Sequence, residues 1–199
     1  MRLILVLLLI GGAAQGILVN DGSFENGSCD AGSDWTCVTN QLECETIVDP
    51  LGIWAYPAYE GSSAVWLGGV CHNNAISNSV CQDIVLSPSE LSWWWMGWYT
   101  LEGEQEAWIR VTVDGELAYE KLLGPEHDTV GSWSPSEDGF GRISLRDWED
   151  GSSHTLCIKL DNNYINNGET TANLLVDWIE LSHPVATAEM SFSLIKVLY

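Results

Sequence analysis

The side chains best suited to chemistry cluster in one stretch, Leu91 to Gly115, which carries five of the chain's eleven tryptophans. Successive side chains of a strand point to opposite faces, so each run has two faces to read. On the first run Leu91, Trp93, Trp95, Gly97 and Tyr99 share one face, and Ser92, Trp94, Met96, Trp98 and Thr100 the other. On the second run Ile109, Val111 and Val113 make an apolar face, and Trp108, Arg110, Thr112 and Asp114 a mixed one. A turn centred on Gly103 predicts an antiparallel hairpin that sets Trp98 opposite Trp108, Met96 opposite Arg110 and Trp94 opposite Thr112. Trp95 with Val111 and Trp93 with Val113 then form the core side. The opposite side holds Trp94, Trp98, Trp108 and Arg110, flat rings beside a guanidinium. Tryptophan offers the C–H face of a sugar a broad apolar ring, with one N–H donor at its edge. Trp54, Tyr56 and Tyr59 are placed to reach the same face from a loop. This face is either a glycan-binding platform or a surface covered by another layer.

No catalytic constellation accompanies it. His72, His127, His154 and His183 are scattered and share no motif with a serine or cysteine nucleophile. Glu102, Glu104 and Glu106 crowd a turn tip, a poor place for the two carboxylates that flank a glycosidic bond across a cleft. Asp161 to Glu169 imitates a calcium-binding EF-hand loop, but Ile165 falls where an oxygen ligand is required and Gly168 comes too late. It reads as a polar turn. The chain is read as non-enzymatic.

Strand-like runs follow one another at Ile17–Asn20, Ile47–Val48, Ala64–Leu67, Val80–Leu86, Leu91–Tyr99, Ala107–Val113, Leu117–Leu122, Gly141–Leu145, Thr155–Leu160 and Leu174–Leu181. Turn signals such as Gly68-Gly69, Asp114-Gly115, Gly124-Pro125 and Asp150-Gly151 separate them. No segment sustains a helical period. The expected class is all-β, a two-sheet antiparallel jelly-roll β-sandwich over residues 17–183. Residues 184–199 look appended, as an extra edge strand or a sorting or docking segment for a cell-surface or protein partner.

Residues 1–16 read as a secretory signal: Arg2, the apolar run Leu3 to Ile10, then small residues suited to cleavage after Ala14 or Gly16. Six cysteines lie beyond it, an even count that suggests disulfides in an oxidising compartment. The expected arrangement joins Cys71 to Cys81 and ties down an early loop through Cys29, Cys37 and Cys44; the alternative leaves one or two reduced, Cys157 among them. Asn26-Gly27-Ser28 is a formal glycosylation sequon. A net charge of −21 excludes nucleic acid and anionic membrane surfaces as partners, since both need basic patches.

Several motifs, in order along the chain, resemble those of one family. Leu18-Val19-Asn20-Asp21-Gly22-Ser23-Phe24-Glu25 is similar to the opening L-[IV]-N-G-x-F-E of the galactose-binding-like jelly rolls, which include xylan- and glucan-binding modules of secreted glycoside hydrolases. Trp35 sits where that family often has a tryptophan, and Glu60 to Gly68 resembles its x-G-x-x-A-x-x-L-G strand. Val80 to Ile84 resembles [IV]-x-Q-x-[IVL], and Leu91 to Gly115 the central stretch ending V-x-V-D-G. Asn173 to Leu181 resembles the closing x-F-L-V-D-D-[IV]-x-L, although Trp178 replaces its second Asp and Asp21 is inserted in the opening motif. The resemblance implies a structural calcium, held by Glu25, Glu60 and Asp177 with carbonyls near Gly22 and Ser63. Calcium accepts such mixtures of carboxylate and carbonyl oxygen; the alternative is that these carboxylates cap loops. The implied function is a secreted, non-catalytic carbohydrate-binding module that recognises a polysaccharide or glycan on its aromatic face. The alternative is a calcium-stabilised extracellular structural or adhesion domain without sugar binding.

Overall fold

Alternating burial drives the chain into two layers. The computed structural model describes residues 17–26, 29, 33–40, 47–48, 56–68, 75–87, 89–100, 105–163 and 172–182. One sheet takes β1 (Ile17–Leu18), β3 (Ile47–Val48), β4 (Ala64–Leu67), β6 (Glu90–Tyr99), β9 (Ser134–Pro135), β10 (Ile143–Ser144) and β12 (Ala172–Ser182). The other takes β2 (Thr36–Thr39), β5 (Ser77–Val85), β7 (Ala107–Val113), β8 (Glu116–Leu122) and β11 (Ser153–Asn162). The first runs β10-β6-β12-β4-β3, with β1 added to β12 and β9 to β6; the second runs β2-β5-β11-β7-β8. Every pairing is antiparallel. The expected all-β jelly-roll sandwich is the observed class.

The core lies between the sheets. Trp93 and Trp95 of β6, with Leu174 and Val176 of β12, meet Ile109, Val111 and Val113 of β7 and Leu156, Ile158 and Leu160 of β11. All are essentially excluded from solvent, and each large side chain so buried contributes roughly 1.5–3 kcal/mol. Phe24 and Trp35 close one end, their rings 5.1 Å apart. The predicted core faces of both runs are therefore correct.

The predicted hairpin between them is not. β6 pairs with β12, β9 and β10, whereas β7 pairs with β11 and β8. The two runs lie in opposite sheets and present their apolar faces to each other across the core. Alternation specifies which face of a strand is buried, but the same alternation serves a hairpin and an arch between sheets. The hairpin after β7 does form: Asp114 and Gly115 both take positive φ, 52° and 82°, as a two-residue primed turn requires.

Cysteine pairing also needs correction. Cys81 bonds Cys157, its direct neighbour across β5 and β11 with Cα atoms 4.1 Å apart, so neither Cys71–Cys81 nor a reduced Cys157 holds. Cys29 bonds Cys37 within the early loop as expected. Two strands went unpredicted: β2, inside the Gly-, Ser- and Cys-rich passage, and the two-residue β9. Residues 1–16, read above as a signal, residues 184–199, Cys44, Cys71, Trp54, Glu102, Glu104, His72, His183 and residues 164–171 lie outside the described residues.

Candidate functional site

The outer face of the first sheet gathers the aromatic residues. Register places Trp94 beside Asp177, Met96 beside Leu175, and Trp98 beside Asn173; Trp66 of β4 flanks Leu175 from the other side. The Trp66 indole N–H donates to Asn173 Oδ1 at 2.8 Å, and Trp66, Met96 and Leu175 form a small buried cluster outside the main core. The segment before β4 then lies over the sheet. Its Tyr59 ring stacks on Trp94, centroids 4.0 Å apart and planes within 11°. Trp133 and Trp178 stand edge-on to Tyr59 at 6.2 and 6.4 Å. The Trp133 indole N–H donates to Pro57 O at 3.0 Å, which fixes the loop to the rim. Tyr56 and Tyr59 thus arrive from a loop as expected.

Two slots open on this face. One is narrow and almost wholly apolar, bounded by Tyr56, Trp66, Met96, Trp98, Val130 and Leu175. The other is roomier and polar, bounded by Ser92, Trp94, Glu137, Arg142, Trp178 and Glu180. Such a pair of concavities offers a ligand both ring surfaces and hydrogen-bonding groups.

Trp94 and Trp98 therefore lie on this face, but Trp108 and Arg110 do not. They sit on the outer face of the opposite sheet because β7 belongs to that sheet. There Arg110 bonds Glu120 at 2.6 Å and Asp161 at 2.7 Å, Lys159 adds a second contact to Asp161, and the guanidinium lies 5.2 Å from the Trp108 ring. The expected four-residue platform is split, and Arg110 is engaged in an ion-pair ladder. Asp161, first residue of the EF-hand-like run, belongs to that ladder. Sequence reading missed Trp66, Trp133 and Trp178 as members of the face. Trp66 carried a usable signal, since it alternates with the core residues Val65 and Leu67.

Glu25, Glu60 and Asp177 converge on the turn before β4. Glu25 accepts the N–H groups of Ser62 and Ser63 at 2.8 and 2.9 Å and the Ser62 hydroxyl at 3.0 Å. Desolvation raises its pKa, but these bonds outweigh it and leave the carboxyl below its ordinary value. Gly61 makes this approach possible: its φ is +68°, and a Cβ there would fall 2.3 Å from the Glu25 carboxyl carbon. Asp177 is fully buried and accepts the Glu60 N–H at 3.1 Å and the Trp178 N–H at 2.7 Å. Burial pushes its carboxyl up to about 7 against those hydrogen bonds, and the charge of Glu25 adds to the rise. Glu60 meets Asp177 through its backbone N–H, and among the described residues no three acidic, histidine or cysteine side chains form a metal cage. Both Glu25 and Asp177 are carboxylates, the oxygen donor type that a hard cation takes.

No family model matches the sequence, and no curated protein matches it. Solved structures do. The structure of TmCBM61 in complex with beta-1,4-galactotriose superposes with a TM-score of 0.50 at 15% identity, covering 84% of this chain and 98% of that one. The K2 cleaved adhesin domain of Lys-gingipain gives 0.54 at 13% identity over 85% and 99%. The K1 cleaved adhesin domain of Lys-gingipain from Porphyromonas gingivalis W83 gives 0.51 at 12% identity over 87% and 99%. The fold these structures share with this chain is a two-sheet antiparallel β-sandwich.

Within this sandwich, one further cluster has the outline of a catalytic triad. His154 Nδ1 lies 2.7 Å from Asp114 Oδ2, and His154 Nε2 lies 3.0 Å from both Ser152 Oγ and Asp150 Oδ1. The Ser152 hydroxyl, however, donates to Asp150 at 2.6 Å. Hydrogen bonds donated to Asp114 and then to Asp150 raise the His154 pKa; the His154 bond is the main cause that holds the Asp114 carboxyl below its ordinary value, while the Ser152 hydroxyl, ahead of His154, does so for Asp150. An imidazolium that donates from both nitrogens cannot take a proton from serine. The cluster instead clips the β7–β8 turn to the start of β11. Because the folded pKa of His154 lies above its unfolded value, its contribution is complete below about pH 6.5 and is lost as pH rises through the folded value. The melting-temperature difference between wild type and His154→Gln should therefore be largest near pH 6 and shrink by pH 9. A difference that stays constant over that range would mean the ring acts only through packing.

Proposed function

We propose that this domain is a non-catalytic carbohydrate-binding module of an extracellular protein, which recognises a polysaccharide or glycan on the aromatic face of its first sheet. The observation that carries this reading is the Tyr59–Trp94 stack, flanked by Trp98, Trp133 and Trp178 and opening into two slots. Aromatic rings with polar groups at their edges suit a ligand that is apolar on its ring faces and hydroxylated at its rim. TmCBM61, of the same fold, was solved with a galactotriose. The disulfides Cys29–Cys37 and Cys81–Cys157 support export to an oxidising compartment, as the signal-like residues 1–16 do.

Calcium is proposed as a structural ion, held by Glu25 and Asp177 with carbonyls of the neighbouring turn. The support is chemical: two carboxylates share one turn, one of them fully buried, and a divalent cation would relieve their mutual repulsion. Its part is to fix the turn that carries Tyr59.

A second reading, a structural or adhesion domain without sugar affinity, is favoured by one observation: Tyr59 already covers one face of Trp94. Affinity electrophoresis of the secreted, oxidised protein through soluble polysaccharides, with calcium present, separates the two. Retardation by at least one polymer, abolished in Trp98→Ala and retained in Trp108→Ala, is the expected result. Uniform mobility across the panel would favour the adhesion domain, and equal loss in both variants would move the site off this face.

A further inference from the structure

The polar slot has a lining of mixed sign, and that composition carries information about the ligand. Between Asp177 and Glu180 the register of β12 shifts by a bulge, at which Trp178 takes a φ of +52°. A bulge re-aims side chains, and here the Trp178 ring and Glu180 come to bound the same slot. The Trp178 indole N–H donates to Glu180 Oε1 at 2.7 Å and orients that carboxylate. Across the slot, Arg142 Nε donates to Glu137 Oε1 at 2.8 Å, and a second guanidinium nitrogen lies 3.7 Å from Glu90. The slot thus presents carboxylate acceptors, guanidinium donors and a hydroxyl at Ser92, beside the ring of Trp94.

We infer that the slot bounded by Trp94, Trp178, Glu137, Arg142 and Glu180 is a second subsite that admits an uncharged polyhydroxylated sugar unit and rejects charged ones. This rests on the carbohydrate-binding reading of the face. A sugar hydroxyl both donates and accepts, so one unit can satisfy Glu180 and Arg142 together. A ligand of a single sign meets a like charge on one wall of the slot: a uronate or sulfate faces Glu137 and Glu180, and a protonated amino sugar faces Arg142. The chain's net charge of −21 adds long-range repulsion to an anionic polymer. Binding of a neutral unit leaves no net charge to screen, so its affinity is insensitive to salt.

Isothermal titration of the calcium-loaded protein with galactan, xylan, polygalacturonate and chitosan, at about 20 and 500 mM NaCl, tests the assignment. Galactan or xylan should bind with affinities that agree within about twofold at the two salt concentrations. Loss of a hydrogen bond to a charged group predicts that Arg142→Ala and Glu180→Gln weaken binding by roughly tenfold, in proteins that melt as wild type does. Polygalacturonate and chitosan should show no binding at the higher salt. Preference for either charged polymer at that salt overturns the inference and leaves the aromatic face intact as a glycan site. The same holds if both slot variants bind neutral polymer like wild type while Trp98→Ala does not. Absence of binding to all four polymers removes the carbohydrate reading, and the inference falls with it.

Discussion

Asp177→Asn should raise the melting temperature in chelator at pH 8, the reverse of what removing a hydrogen-bonded buried carboxylate usually does. The sign follows from the site. Burial holds the folded carboxyl near pH 7, about three units above its ordinary 3.8. Folding must therefore pay to keep it ionised at pH 8, by roughly 4 kcal/mol at most. That penalty is absent below about pH 4, grows as pH rises toward 7, and stays constant above. Asparagine has the shape of aspartate without its charge, but its NH2 faces one of the two N–H groups that the carboxylate accepts, so the variant sheds the penalty and gives back one hydrogen bond. A net gain of about 2 kcal/mol corresponds to roughly 4–8 °C in a domain of this size. Calcium at pH 8 should stabilise wild type and leave the variant unmoved. Melting curves at pH 5 and 8, each with EDTA and with calcium, give all the comparisons needed. A variant that melts below wild type in EDTA at pH 8 would show that the carboxylate is compensated without any metal. Equal calcium shifts in both proteins would place the ion elsewhere.

The second large effect belongs to Cys81–Cys157. The bond spans 76 residues, whereas Cys29–Cys37 spans eight. Loop-closure entropy makes the first worth roughly 4.5 kcal/mol and the second roughly 2.5 kcal/mol. The bond also joins strands already held by a nine-residue ladder, from Ser153 opposite Val85 to Asp161 opposite Ser77. Its stabilisation therefore acts mostly on the unfolded chain. The double variant Cys81→Ala, Cys157→Ala should lose about 4 kcal/mol in denaturant titration, clearly more than Cys29→Ala, Cys37→Ala. Equal losses would indicate that the unfolded chain is already constrained across the 81–157 loop by other means.

Much of the sandwich was legible in the sequence because its signals are local. The alternation in Ala107–Val113 became a strand with every second residue buried, and Asp114-Gly115 became the turn after it. The faces of Trp93, Trp95, Val111 and Val113 were also correctly assigned. What alternation does not encode is which strands are neighbours. Partnership is decided by long-range closure of the two sheets, and one error there carried Trp108 and Arg110 onto the wrong face. The same limit applies to Cys81, whose partner lies 76 residues away in sequence and directly beside it in the sheet. Trp133 and Trp178 escaped for a different reason. One lies in an irregular loop and the other on a bulge, where the two-residue period has no predictive power. Tyr56 and Tyr59 were placed correctly because they directly precede a motif that fixes the start of β4.

The sandwich has one aromatic outer face and one ionic one, and this asymmetry sets its valency. The second sheet turns the ladder Glu120–Arg110–Asp161–Lys159 to solvent, its charges already matched in pairs. On the carbohydrate-binding reading, a monomer that grips a polymer through the first sheet presents on its reverse, among the described residues, no second stack of aromatic rings. It would decorate chains singly and would not bridge them, so a solution of the protein and its polymer should stay clear and fluid at any mixing ratio.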